Sequence, residues 1–221
     1  MFVSKFVRGR TAVVTLLAAA GLAACSEGPT APGSPPSFDP TGPLLSKNDS
    51  PGRGKNVGKR TFTILPGVTS WEKFGEHVLV IPANAVCDPG KSKYGSAYWD
   101  TPCEPTRRPI DVTATWGTVD GRAVISFSEE LRFVPSNNEK DWVKLSLKDS
   151  KDIDPRLYYT ILWFDRDLKA WVDESATDPT LKAKLNPSGN LVTRRLKHFS
   201  EYALWSGLGN YNVVSGLGES E

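Results

Sequence analysis

From residue 60 onward, hydrophobic positions recur with a period of two in short runs separated by turn residues, as half-buried strands require. Runs at 61–65, 77–81, 110–116, 122–127, 142–147, 158–164, 191–196 and 202–205 are rich in β-branched and aromatic residues and each predicts a strand. In the run 110–116, Ile110, Val112, Ala114 and Trp116 share one face, and Asp111, Thr113 and Thr115 the other. Asp120-Gly121 predicts a two-residue type I′ hairpin, residues 165–169 a longer hairpin, and Asn186-Pro187-Ser188-Gly189 a further turn. A single short helix is predicted over 178–184, with Asp178 as N-cap and Pro179 at the first helical position. Many short strands without alternating helices place the chain in the all-β class, as a single antiparallel β-sandwich over residues 60–206.

The preceding residues do not follow this rhythm. Residues 1–24 carry a basic head (Lys5, Arg8, Arg10), an apolar run over 12–22 and small residues before Cys25, the three parts of an export signal. The apolar run is too short to cross a bilayer, which takes about 20 residues. Leu22-Ala23-Ala24-Cys25 resembles the lipobox of bacterial lipoproteins, and the resemblance implies that Cys25 becomes the lipidated first residue of the mature chain. Residues 25–59 are dense in proline (Pro29, Pro32, Pro35, Pro36, Pro40, Pro43, Pro51), glycine and serine, and predict a disordered tether. Its root-mean-square reach is on the order of 30 Å, enough to lift a domain off a membrane surface. Residues 207–221 read as a flexible glycine-rich tail in which Ser-Gly-Leu-Gly recurs. The expected location is the exported face of a bacterial envelope membrane, with the membrane itself engaged through the anchor. Ser26 after the cysteine is compatible with an outer membrane.

Composition changes the picture once the signal is set aside. Lys+Arg total 27 against 25 Asp+Glu, but removing Lys5, Arg8 and Arg10 leaves 24 basic residues against 25 acidic ones. Without a basic face, nucleic-acid binding loses its electrostatic premise. Of the 3 cysteines, lipidation of Cys25 leaves Cys87 and Cys103, which in an oxidising compartment are expected to form a disulfide.

A second resemblance rests on two motifs. His77-Val-Leu-Val-Ile-Pro82-Ala-Asn-Ala-Val86 resembles the opening of the β-sandwich domain shared by ankyrins, netrin receptors and zonula-occludens scaffolds. Residues 195–204, containing His198-Phe199-Ser200 and Tyr202, are similar to its closing strand. The resemblance implies a module for protein interaction or structural support, acting mostly without catalysis. Some members of that family cut themselves between Phe and Ser, which makes Ser200 the candidate nucleophile and His198, or a spatially close His77, the candidate base. The alternative is structural: Phe199 fills the core while His198 and Ser200 cap a strand entrance.

The other candidate site is the segment closed by the cysteines, residues 87–103, where Tyr94, Tyr98 and Trp99 could stack a sugar ring or grip a peptide. Its alternative is again structural, with Trp99 and one tyrosine closing the end of the sandwich. Enzyme signatures are absent: there is no nucleophile elbow, phosphate loop, zinc-protease motif or dinucleotide glycine pattern. Glu129-Glu130 and Asp173-Glu174 point to opposite faces if they lie in strands, and no residue spacing predicts a metal or cofactor. The expected function is therefore a non-catalytic protein-interaction or scaffold module on an envelope lipoprotein. Its rivals are a glycan-binding module using the 87–103 loop and a self-processing protein cleaving at Phe199-Ser200.

Overall fold

The computed structural model describes residues 55–207 apart from Asp120 and Lys151; the expected signal peptide, Cys25, most of the expected tether and the residues beyond Gly207 lie outside the described residues. The strands in chain order are β1 (Lys55–Ile64), β2 (Ser70–Phe74), β3 (His77–Ile81), β4 (Ile110–Val119), β5 (Arg122–Phe127), β6 (Lys144–Lys148), β7 (Tyr158–Asp165), β8 (Ala170–Val172), β9 (Lys184–Asn186), β10 (Leu191–Arg195) and β11 (Glu201–Gly207). They form a six-stranded sheet ordered β1-β4-β5-β11-β7-β8 and a five-stranded sheet ordered β2-β3-β6-β10-β9. Neighbouring strands pair antiparallel throughout, so the expected β-sandwich is the fold.

The predicted alternation sets which side chains enter the core. Val112 and Ala114 of β4, Ile125 and Phe127 of β5, Ile161 of β7, and Tyr202 and Leu204 of β11 face Phe74, Leu79, Ile81, Leu145, Leu147 and Val192 of the smaller sheet. The opposite parity of the larger sheet is apolar too. Val124, Leu162, Phe164, Trp171, Ala203 and Trp205 form a second buried cluster on its outer side. β5, β7 and β11 are thus buried on both faces, which is why they read as nearly continuous hydrophobic runs.

Three sequence expectations are modified. β1 begins at Lys55, so the last five residues assigned to the tether belong to the sheet. The approach is close: a Cβ on Gly58 would lie 2.3 Å from the Trp116 indole, so only glycine fits there. The predicted helix over 178–184 is a single 3-10 turn, Pro179–Leu181, with the Asp178 side chain accepting from Thr180 N as anticipated. Pairing of Leu185 with Val192 in the β9–β10 ladder draws the following residues into a strand instead. β2, β8 and β9 had no counterpart among the predicted strands. At the predicted 120–121 hairpin, Val119 pairs with Arg122 and Gly121 has φ 78°, while Asp120 lies outside the described residues.

Candidate functional site

The 87–103 loop and the His198-Phe199-Ser200 segment, candidates for separate roles on sequence grounds, meet at one end of the sandwich. Backbone pairing aligns the segment before β11: Phe199 N donates to Leu131 O at 2.7 Å and Phe133 N to Lys197 O at 2.9 Å. The same short stretch holds the loop, because Cys87 N donates to Arg132 O at 2.9 Å.

Cys87 and Cys103 form the expected disulfide. Closing a loop with 16 residues of sequence separation stabilises the fold by about 3 kcal/mol on chain-entropy grounds. Three further contacts press the loop onto the sandwich. The buried Arg132 guanidinium donates to the carbonyls of Tyr98 and Thr101. Lys197 Nζ reaches Asp100 Oδ2 at 2.7 Å. Tyr94 donates its hydroxyl to the Phe199 carbonyl at 2.6 Å, with His198 Nδ1 3.2 Å from the same hydroxyl.

Trp99 is turned inward. Only 8% exposed, it stacks on the His198 ring with centroids 3.9 Å apart and meets Trp163 edge-on at 4.7 Å. One of its faces is covered by His198 and the Tyr94 hydroxyl is committed to the Phe199 carbonyl. Tyr98 is half-buried beneath the Lys93 ammonium, 5.4 Å from its ring centroid. Trp99 and Tyr94 thus help close the end of the sandwich, while the Tyr98 ring stays half-exposed.

Under this cover lies a group of buried charges that pattern reading did not assemble. Glu174, at the first position of the 3-10 turn Glu174–Ala176, pairs with Arg194 of β10, whose guanidinium also donates to the Ile161 carbonyl. The other Glu174 carboxylate oxygen is 3.5 Å from His198 Nε2, at the outer limit of a hydrogen bond. Burial opposes ionisation of Glu174, but Arg194 and His198 outweigh it and hold the carboxyl below its usual range. Burial pushes the Tyr94 and Tyr202 hydroxyls up, so both stay protonated donors; Tyr202 spends its proton on the His198 carbonyl. The sequence did carry one signal for this centre. In β10 the inward parity contains Val192 and then Arg194, and a charge at a core-facing position requires a partner. Asp173 and Glu174 do diverge, though from a turn: Asp173 caps Ser175 N at 2.9 Å and accepts from Tyr158 OH at 2.9 Å.

Part of what an acyl shift at Phe199-Ser200 would use is present at the centre. The carbonyl that would be attacked accepts a hydrogen bond from Tyr94, and His198 stands beside Glu174. The structural role is present as well. Phe199 is fully buried, stacked on Phe127 with centroids 4.2 Å apart and edge-on to Phe133, and Ser200 immediately precedes β11. His77, the other candidate base, serves elsewhere: its Nδ1 accepts from Lys148 N at 3.0 Å. Cys25, the candidate lipidation site, lies outside the described residues. No protein-family model matches the chain, and no curated protein matches it.

Proposed function

We propose that the chain is a bacterial envelope lipoprotein, anchored through lipidated Cys25, whose β-sandwich is a non-catalytic interaction module akin to that of ankyrins, netrin receptors and zonula-occludens scaffolds. The supporting observation is an apolar corner at the β2 edge of the smaller sheet, which pairs with no further strand among the described residues. Leu65 and Val68, in the turn entering β2, are about half exposed, and Trp71 of β2 is 71% exposed. A tryptophan displayed beside a strand edge left open among the described residues suits a protein partner that adds an extended segment to that edge, its side chains packing on the indole. The Arg60 guanidinium covers the Lys73 carbonyl and pairs with Glu72, shielding part of the edge until a partner arrives.

The test uses protein expressed from its native signal in a bacterial host, with a photo-crosslinking residue at Val68. We expect a lipid adduct on Cys25 by intact mass and a discrete crosslinked product. Trp71→Ala should remove that product without moving the melting temperature, since so exposed a side chain contributes little to the core. A bare Cys25, or crosslinking indifferent to Trp71, overturns the reading.

A second reading, self-processing, is favoured by one contact, the Tyr94 hydroxyl on the Phe199 carbonyl. In this chemistry Ser200 Oγ adds to the Phe199 carbonyl carbon while Tyr94 stabilises the developing oxyanion. The C–N bond breaks, the hydroxyl proton passes to the released Ser200 amine, and water hydrolyses the resulting ester. Denaturing electrophoresis and mass analysis after prolonged incubation decide it. Cleavage between Phe199 and Ser200 that disappears in Ser200→Ala and slows in Tyr94→Phe supports self-processing, whereas a chain that stays whole removes it.

A further inference from the structure

Beside the loop–histidine centre, an open cleft of about 540 Å³ is lined by side chains from four separate segments. Asp100 comes from the stapled loop, Asn137 from the connection before β6, Thr177 and Asp178 from the turn before β9, and Arg195 and Lys197 from the end of β10. Lys197 is the floor. Its side chain is only 9% exposed, and its ammonium bridges Asp100 Oδ2 at 2.7 Å and Asp178 Oδ2 at 2.8 Å. Arg195 is the wall, its guanidinium 4.5 Å from the Trp142 ring centroid and donating to Thr180 Oγ1 at 2.9 Å and Ser136 O at 3.2 Å.

These contacts select the ligand by charge. Two carboxylates face two cations, and the lysine already occupies the place between the acids. A cationic ligand would have to displace that ammonium, and an anionic one would meet Asp100 and Asp178. Hydroxyl groups meet neither obstacle. A carboxylate offers roughly four acceptor positions, and Asp100, whose side chain is 73% exposed, directs one oxygen at Lys197. An alcohol can therefore donate to an aspartate while accepting from the neighbouring guanidinium, or from the amide of exposed Asn137 at the rim.

The volume also fits. Small-molecule sites run from about 300 to 1,000 Å³, and this cleft has room for a short saccharide. Because Lys197 and Arg195 are held by contacts already made, little side-chain ordering remains to be done on binding.

We propose that this cleft is a binding site for neutral carbohydrate, one or two sugar rings at the end or within the run of an uncharged polysaccharide. The recognising surface is the paired aspartates and cations, not the faces of Tyr94, Tyr98 and Trp99. The site stands apart from the β2 edge, so either function can fail without the other.

Saturation-transfer NMR on the purified full-length chain tests it with maltose, cellobiose and N-acetylchitobiose as probes and the dipeptide alanyl-alanine as a charged control. At least one disaccharide is expected to bind saturably in the millimolar range while alanyl-alanine does not compete. Asn137→Trp, a bulky substitution at an exposed rim position, should weaken that binding by about tenfold or more, equivalent to roughly 1.4 kcal/mol, with the melting temperature kept. Asp100→Asn keeps the side-chain shape while removing the carboxylate charge and should weaken it too; Trp71→Ala should leave it unchanged. Failure of all three sugars to bind overturns the proposal, as does equal binding by both cleft variants or competition by the dipeptide.

Discussion

His77 and His198 are both buried, at 9% and 0% exposure, yet their surroundings differ in kind. His77 opens β3 and spends Nδ1 on the backbone N–H of Lys148. Burial, only partly offset by Glu76, lowers its pKa to about 4, so the ring stays neutral and acts as a fixed acceptor. His198 is stacked by Trp99, edged by Trp163, adjacent to the Tyr94 hydroxyl and 3.5 Å from a carboxylate that Arg194 also holds. Equal burial does not give two histidines the same surroundings. What separates them is whether a backbone group uses up the ring or ionisable side chains surround it.

The sharpest way to break that contrast is to remove the carboxylate. Glu174→Ala leaves the Arg194 guanidinium, fully enclosed, without its counter-charge, and stripping one partner from a buried ion pair costs about 3–5 kcal/mol. For a domain of about 150 residues each kcal/mol lowers the melting temperature by roughly 2–4 °C, so thermal denaturation should register a large drop. Replacing both partners, Glu174→Met with Arg194→Met, should recover most of the loss, because no unpaired charge then remains in the interior. If Glu174→Ala melts within a degree or two of the parent, the pair contributes nothing to stability and the buried counter-charge is not what sets the His198 surroundings apart.

The same contrast explains how much of the molecule was legible beforehand. The β3 and β5 bounds follow from short apolar, β-branched runs closed by turn residues, and the disulfide from cysteine count. β2 is hidden in the sequence because its pattern is inverted: Trp71 and Lys73 face solvent while Ser70 and Glu72 are half-covered, so apolar parity signals the wrong face. β8 and β9 have three residues each, too few for any period to emerge. Tyr94, Trp99 and His198 were individually visible as candidates. Their convergence was not, because it depends on residues 131–133 pairing with both Cys87 and residues 197–199, a contact between segments far apart in sequence. Glu174 was hidden by a different cause: as one of two adjacent acids it reads as strand alternation, whereas a 3-10 turn sends it into the core.

A smaller effect probes the other side of the comparison. The His77 pKa is lowered in the folded state, from about 6.5 to about 4, so the unfolded chain binds a proton before the folded one does. Above pH 6.5 both states are neutral and this residue adds no pH dependence. As the pH falls from 6.5 to 4, the unfolded state gains a proton that the native state refuses, and stability declines by up to about 3 kcal/mol at 1.36 kcal/mol per pKa unit. Below pH 4 both states are protonated and the loss levels off. His77→Gln retains a side-chain oxygen that can accept from Lys148 N but does not titrate. Chemical denaturation of the two proteins across this window should therefore give a stability difference that narrows toward acid. Asp154 and Asp178, with pKa values of about 2, titrate below it, and Glu201, raised by burial, is common to both chains and cancels. A difference that stays constant from pH 6.5 to 4 means that the His77 ring accepts its proton in place, and that burial around it is looser than the Lys148 contact implies.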